Sequence, residues 1–179
     1  GFISKLMKKT INVDVPEHLP RMTFADAMNK YGSDKPDTRF DMLIQDISDW
    51  ADNTDFVVFK SAIADGGSVK AIVAKNAASV YTRKKIDKLT ASAKGIGAKG
   101  LAYVRWADAE PNCSFSKFLK DGELDELLST LGAQQGDVVF IVSDKTGKAL
   151  NVMGALRLMV AKELDIIPEG KWNFLWITE

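Results

Sequence analysis

The sequence predicts an α+β protein: a two-layer sandwich whose antiparallel four-stranded sheet carries helices on one face. Three observations lead there. Residues 56–63 are rich in β-formers, Asp65-Gly66-Gly67 supplies a turn, and residues 69–74 return, which reads as a hairpin. From residue 56 to 164 the order is strand, strand, helix, strand, helical insert, strand, helix, so a β-β-α unit occurs twice. The last helix, residues 148–164, has a broad apolar surface from Ala149, Val152, Met153, Leu156, Met159 and Val160, the width needed to press against a sheet.

The elements follow in order. Residues 1–20 read as the tail of a helix (Phe2, Ile3, Leu6 and Met7 among lysines) and a linker stopped by Pro16 and Pro20. Thr23 is an N-cap for a helix over 24–30 with Phe24, Ala27 and Met28 on one face. Residues 32–37 are a loop by composition: Gly32 gives backbone freedom, Asp34 caps, and Pro36 keeps Lys35 out of helical dihedrals. A short helix covers 44–50. After the hairpin, Thr82 opens a helix to about Lys94 with Ile86, Leu89 and Ala93 inward, and residues 101–106 form a strand. In the helical region 114–131, Leu124, Leu127, Leu128 and Leu131 recur at helical spacing. Gly136-Asp137 ends it before a strand at 138–142, a turn spans 143–147, Pro168 closes the last helix, and 172–177 read as a final strand.

Composition narrows the function classes. Lys+Arg and Asp+Glu balance at 24 each, so whole-chain charge designates no nucleic-acid partner, and any RNA contact must come from local patches. The single cysteine, Cys113, excludes an internal disulfide and a thiolate zinc cluster. No run of about 18 apolar residues exists, so no membrane helix is expected, and the N-terminus lacks signal-peptide features. A cytoplasmic setting is the expectation. The opening on Gly1 and the close on a strand-like run suggest a piece of a longer protein.

Each eye-catching motif has a structural explanation beside a chemical one. Residues 95–100 spell G-x-G-x-x-G, but a dinucleotide site needs those glycines after a strand and opening a helix. Here they follow a helix and precede a strand, as a helix cap and tight loop would. Arg83, Lys84, Lys85 and Lys88 offer an RNA contact or form a solvated helix face. His18 has no partner for metal or acid–base work, and Asp121, Glu123, Asp125 and Glu126 suit a helix N-terminus. Trp50, Trp106, Trp172 and Trp176 read as core or seam residues. No Walker-type loop or acid/base pair is visible, so no catalytic, cofactor-binding or metal residue is assigned.

One resemblance adds to this reading. Residues 19–28, then Lys30-Tyr31-Gly32-Ser33-Asp34-Lys35-Pro36-Asp37 and Arg39, resemble bacterial-type aspartyl-tRNA synthetases just after their second class-defining motif. Thr82-Arg83-Lys84 with Ile86-Asp87, residues 97–103, Lys117-Phe118-Leu119, Gly136-Asp137 and Met153-Gly154-Ala155-Leu156-Arg157 are similar to that family's insertion domain, the GAD domain, of GAD/DCoH-like architecture. Lys171-Trp172 and Leu175-Trp176-Ile177 resemble the strand by which such a chain re-enters the catalytic core.

The resemblance implies three parts: a core-derived flank and linker at 1–50, the GAD insertion at 51–168, and a return strand at 169–179. It implies a class II parent that joins aspartate to ATP with Mg²⁺ and passes it to tRNA. The F-R-x-E and G-x-G-x-x-x-E-R stretches that such catalysis uses are absent, so the chain alone is expected to be non-catalytic and to hold no cofactor. Expected partners are tRNA and the remainder of the synthetase chain, not a membrane; the parent is expected as a homodimer, this chain as a monomer. Ser33, Asp34 and Lys35 become the candidate substrate- or tRNA-proximal loop. Two other readings stand beside this one: a GAD-type RNA-binding module, free-standing or of a tRNA-dependent amidotransferase, and a nucleotide-binding enzyme built on the glycine motif.

Overall fold

The computed structural model describes all residues, 1–179. The centre of the molecule is a pair of seven-residue antiparallel strands, β3 (Ser68–Ala74) and β6 (Val138–Asp144), matched from Ser68 opposite Asp144 to Ala74 opposite Val138. Short strands extend the sheet on each side. β2 (Gln45–Asp46) pairs with β3, β4 (Ala102–Arg105) with β6, and β5 (Asn112–Cys113) with β4, giving the order β2-β3-β6-β4-β5, antiparallel throughout.

The α+β class and the antiparallel sheet hold, while the strand count and layering differ from expectation. There are five strands, and helices cover both faces. On one face α5 (Arg83–Gly95) and α7 (Thr146–Glu163) pack with Phe40, Met42 and Ile44 against Ile72, Phe140 and Val142. On the other, α3 (Ser48–Asn53), α4 (Val57–Ala64) and α6 (Glu123–Leu131) meet Val69, Ala71, Val73, Val139 and Ile141. The reason is written in the strands: every residue of β3 is buried, and Val138-Val139-Phe140-Ile141-Val142 is apolar without alternation. An unbroken apolar strand needs cover on both sides.

The expected hairpin does not form. Residues 57–64 are helix α4, not a strand, and Asp65-Gly66-Gly67 closes that helix instead of a β-turn. Gly67 N–H donates to Ala62 O at 2.8 Å, and a Cβ there would sit 2.7 Å from that same oxygen, so only glycine fits. Short runs rich in Val and Phe serve either geometry, and packing decides. Here Phe59 is 1% exposed in an aromatic cluster, with ring centroids 4.6 Å from Phe56 and 5.2 Å from Phe115.

Other bounds shift modestly. The region expected as helix at 114–131 is a 3₁₀ turn, Ser116–Phe118, followed by α6, whose first turn holds Glu123, Asp125 and Glu126. The first helices are α1 (Phe2–Ile11) and α2 (Phe24–Tyr31), and the helix expected over 44–50 is α3. The final strand is shorter than expected: β7 (Trp176–Thr178) pairs in parallel with an unforeseen β1 (Arg21–Thr23), apart from the main sheet. No helix is long and apolar enough to cross a membrane.

Phe59→Ala should cost about 3–5 kcal/mol in urea denaturation. Val58→Ala, one residue earlier and 54% exposed, should change stability by no more than about 0.5 kcal/mol. Equal losses at the two positions would mean that this segment is not a helix with Phe59 inward.

Candidate functional site

The loop singled out by sequence, residues 31–37, is anchored from a distant helix. Thr23 Oγ1 accepts from Asp26 N–H at 3.1 Å and starts α2; Gly32, at φ 66°, ends it. Gly32 rests directly on α7: a Cβ on it would lie 2.7 Å from Gly154 Cα, and one on Gly154 would lie 2.9 Å from Tyr31 O. Two glycines from opposite ends of the sequence therefore let a loop and a helix touch backbone to backbone.

Three residues along α7, Arg157 secures that contact. Its guanidinium donates to the carbonyls of Met42 (2.8 Å), Asp37 (2.9 Å), Phe40 (2.9 Å) and Asp41 (2.8 Å). The charge lies 4.0 Å from the Phe40 ring centroid and 4.7 Å from that of Tyr31. The residue is 1% exposed, and burial pulls its pKa below the ordinary arginine value. Four backbone carbonyls of one loop thus depend on one side chain. Sequence reasoning named Arg157 only within the Met153–Arg157 resemblance and gave it no role, although the signal was present: it stands four residues after Met153 within the apolar stripe of α7.

Within the loop, Ser33 Oγ accepts from Lys35 N–H at 3.0 Å, so the hydroxyl is engaged in a local turn, and Asp34 points into solvent. Asp37 receives a bidentate pair from Arg39 at 2.9 and 2.7 Å, and that hydrogen bonding holds its carboxyl below the usual aspartate range. Asn173 donates to Thr38 O at 3.0 Å and ties the loop to the segment before β7. Between the two segments lies a cleft of about 310 Å³ lined by Lys35, Arg39, Lys171 and Trp172 among others. Of the three candidate residues, only Lys35 lines it.

The basic helix face is also sorted by the structure. Arg83, Lys84, Lys85 and Lys88 are all exposed, but only Lys85 and Lys88 line the cleft between α5 and α7, where Lys162 joins them above Leu89 and Met159. Glu163 sits in this cleft, accepting from Tyr81 Oη at 2.7 Å and lying 3.3 Å from Lys85 Nζ. The tyrosine hydrogen bond first, and the lysines after it, hold the Glu163 carboxyl below its ordinary value.

The remaining sequence motifs fall into structural roles. The glycine-rich stretch 95–100 links α5 to β4, with Ala98 N–H donating to Ala93 O at 2.9 Å. Burial pushes the Cys113 thiol up to about 11, the opposite of an activated nucleophile. Trp50 joins the second core and donates to Glu123 O at 3.0 Å. Trp172 and Trp176, read as core or seam, are 55% and 53% exposed.

Arg157→Met should remove about 3–5 kcal/mol of stability by leaving the loop carbonyls unpaired. Arg157→Lys should restore only part of that, because an ammonium cannot reach four carbonyls from one plane. Hydrogen exchange should localise the first loosening to residues 37–44; protection unchanged there would refute the anchor. A second expectation concerns pH. The depressed Glu163 adds stability above its ordinary value of 4.5 that is lost as pH falls through the lower folded value. Tyr81→Phe should flatten this acid limb in thermal melts from pH 6 to 3, and an unchanged slope would show that the tyrosine does not hold the carboxylate.

Comparison with known proteins places the chain among relatives. The model of the GAD domain matches residues 59–153. The aspartate–tRNA(Asp/Asn) ligase of Bacillus mycoides (strain KBAB4) is 48% identical over 177 residues, 99% of this chain and 30% of the ligase. The ligase of the same name from Bacillus cereus (strain ATCC 10987 / NRS 248) is 47% identical, and the aspartate–tRNA ligase of Staphylococcus saprophyticus 45%, each over the same shares. The chain therefore spans 30% of the length of these relatives. With the family model covering residues 59–153 of 179, this chain belongs to the GAD domain family.

Proposed function

We propose that this chain is the insertion unit of an aspartate–tRNA ligase: a non-catalytic body that packs beside the aminoacylating core and offers basic clefts to tRNA. The observation that carries this reading is similarity to such ligases over 99% of the chain. A GAD module of an amidotransferase, or one standing alone, accounts for residues 59–153 and leaves the similarity of both flanks unexplained.

The geometry of the flanks supports the same reading. An insertion must leave and re-enter its host at neighbouring points, and β1 and β7 lie side by side in parallel. Two three-residue strands have little stability of their own. Helix α1 buries none of its residues, and Phe2 (80%), Ile3 (53%), Leu6 (46%) and Trp176 (53%) present a wide apolar face. The proposed cover is the remainder of the ligase. ATP, Mg²⁺ and aspartate belong, on this reading, to that remainder, as do the homodimer contacts, and the whole works in the cytoplasm.

For tRNA the reading uses two seats. One is the α5–α7 cleft with Lys85, Lys88 and Lys162; the other is the cleft of Lys35, Arg39 and Lys171, where Trp172 offers a face for stacking. Lys85 is paired with Glu163 and Arg39 with Asp37, so Lys88 and Lys162 carry the free charge of the first seat and Lys35 and Lys171 that of the second.

Filter binding of tRNA to the chain should give a salt slope worth about three to five phosphate contacts. Replacing Lys85, Lys88 and Lys162 together by Gln should lower that slope by about two to three. ATP–pyrophosphate exchange should stay at background. Exchange above background would overturn the non-catalytic role; absent or salt-independent tRNA binding would remove the RNA role.

A further inference from the structure

On the opposite face from α7, a groove of about 510 Å³ runs between α4 and the start of β4. Its walls are Phe56, Val58, Phe59, Leu101 and Ile141, and its volume lies in the range of small-molecule sites. Helix α4 is apolar nearly all round: Phe59 faces the core, yet Val57 is 67% and Val58 54% exposed. A helix of that character is normally covered.

One end of the groove is polar. Lys99 lines it, and its one salt bridge is to Asp144 Oδ1 at 3.9 Å. Asp144 is 4% exposed, accepts from Lys145 N–H at 2.8 Å and has Lys148 Nζ 3.3 Å from its other oxygen, so a lysine nearer than Lys99 already faces it. Ser143, half-buried, adds a hydroxyl at the same groove. Between polar end and apolar walls stands Gly100. Its φ is not left-handed and a Cβ on it would meet nothing within 4 Å, so neither conformation nor packing requires glycine, and its bare Cα leaves the groove open.

We propose that this groove binds a small molecule with an aromatic body and a single oxyanion, the body between Phe56, Val58 and Leu101 and the oxyanion on Lys99 and Ser143. Such a ligand satisfies both halves of the groove: rings displace water from the apolar walls, and a carboxylate takes up the Ser143 hydroxyl and an ammonium whose acidic partner is as far as 3.9 Å.

The probes are naphthalene-2-carboxylate and its neutral amide, titrated into the 179-residue chain and followed by ¹H–¹⁵N chemical shifts. Saturable shifts grouped at residues 56–59, 99–102 and 141–143 are expected for both. Lys99→Gln should weaken the carboxylate about tenfold and leave the amide unchanged. Gly100→Leu should abolish both, and Val58→Asp, at an exposed position, should weaken the carboxylate more than the amide and keeps the test decisive if the leucine variant does not fold. Shifts that do not saturate, shifts centred on Trp172 and Trp176, or unchanged binding by Gly100→Leu would overturn the site. Equal loss of both probes in Lys99→Gln would overturn the oxyanion assignment.

Discussion

The buried guanidinium of Arg157 is the interaction on which the α7 side of the structure depends. A charged group at 1% exposure is costly, and here the direct contacts that compensate it are four carbonyl oxygens and two aromatic faces, with the Asp37 and Asp41 carboxylates acting only from longer range. The arrangement runs both ways. The carbonyls of residues 37–42 sit in an irregular segment with no ladder to join, and Met42 adopts φ 66°, so the loop has little local reason for its shape. Arg157 supplies that reason, and the Gly32–Gly154 contact sets the distance at which it does so.

That coupling unites parts far apart in sequence. Phe40, Met42 and Ile44 enter the same core as Ile72, Phe140 and Leu156. The flank expected over residues 1–50 thus contributes side chains to the body of the sheet, and its Ile47 enters the second core. Any displacement of α7 must carry the 37–42 loop with it. In an insertion unit this would make the loop a rigid extension of the inserted body.

The two faces of the sheet divide the molecule's surfaces. The α5–α7 face carries the basic cleft of Lys85, Lys88 and Lys162, beside the tyrosine-bound Glu163. The α3–α4–α6 face carries the aromatic cluster around Phe59 and the apolar groove beside Lys99. The central strands thus set the basic cleft and the apolar groove on opposite sides of the molecule.

Much of this was legible beforehand, because it rests on local chemistry: the Thr23 cap, the inward face of α5 at Ile86, Leu89 and Ala93, the acidic first turn of α6, and the glycine stretch that ends one helix and leads into a strand. The signal for two-sided burial was also present, in the unbroken apolar run Val138–Val142 of β6. Tertiary structure alone decided the rest. Whether residues 57–64 coil or extend was settled by the aromatic neighbours Phe56 and Phe115, since the run fits either period. Which lysines share a cleft depended on how α5 and α7 lie together, and no spacing within one helix encodes that. The partners of Arg157 lie 115 to 120 residues away. A sequence announces a buried charge through an odd residue in an apolar stripe; only the folded chain brings the carbonyls that make the burial tolerable.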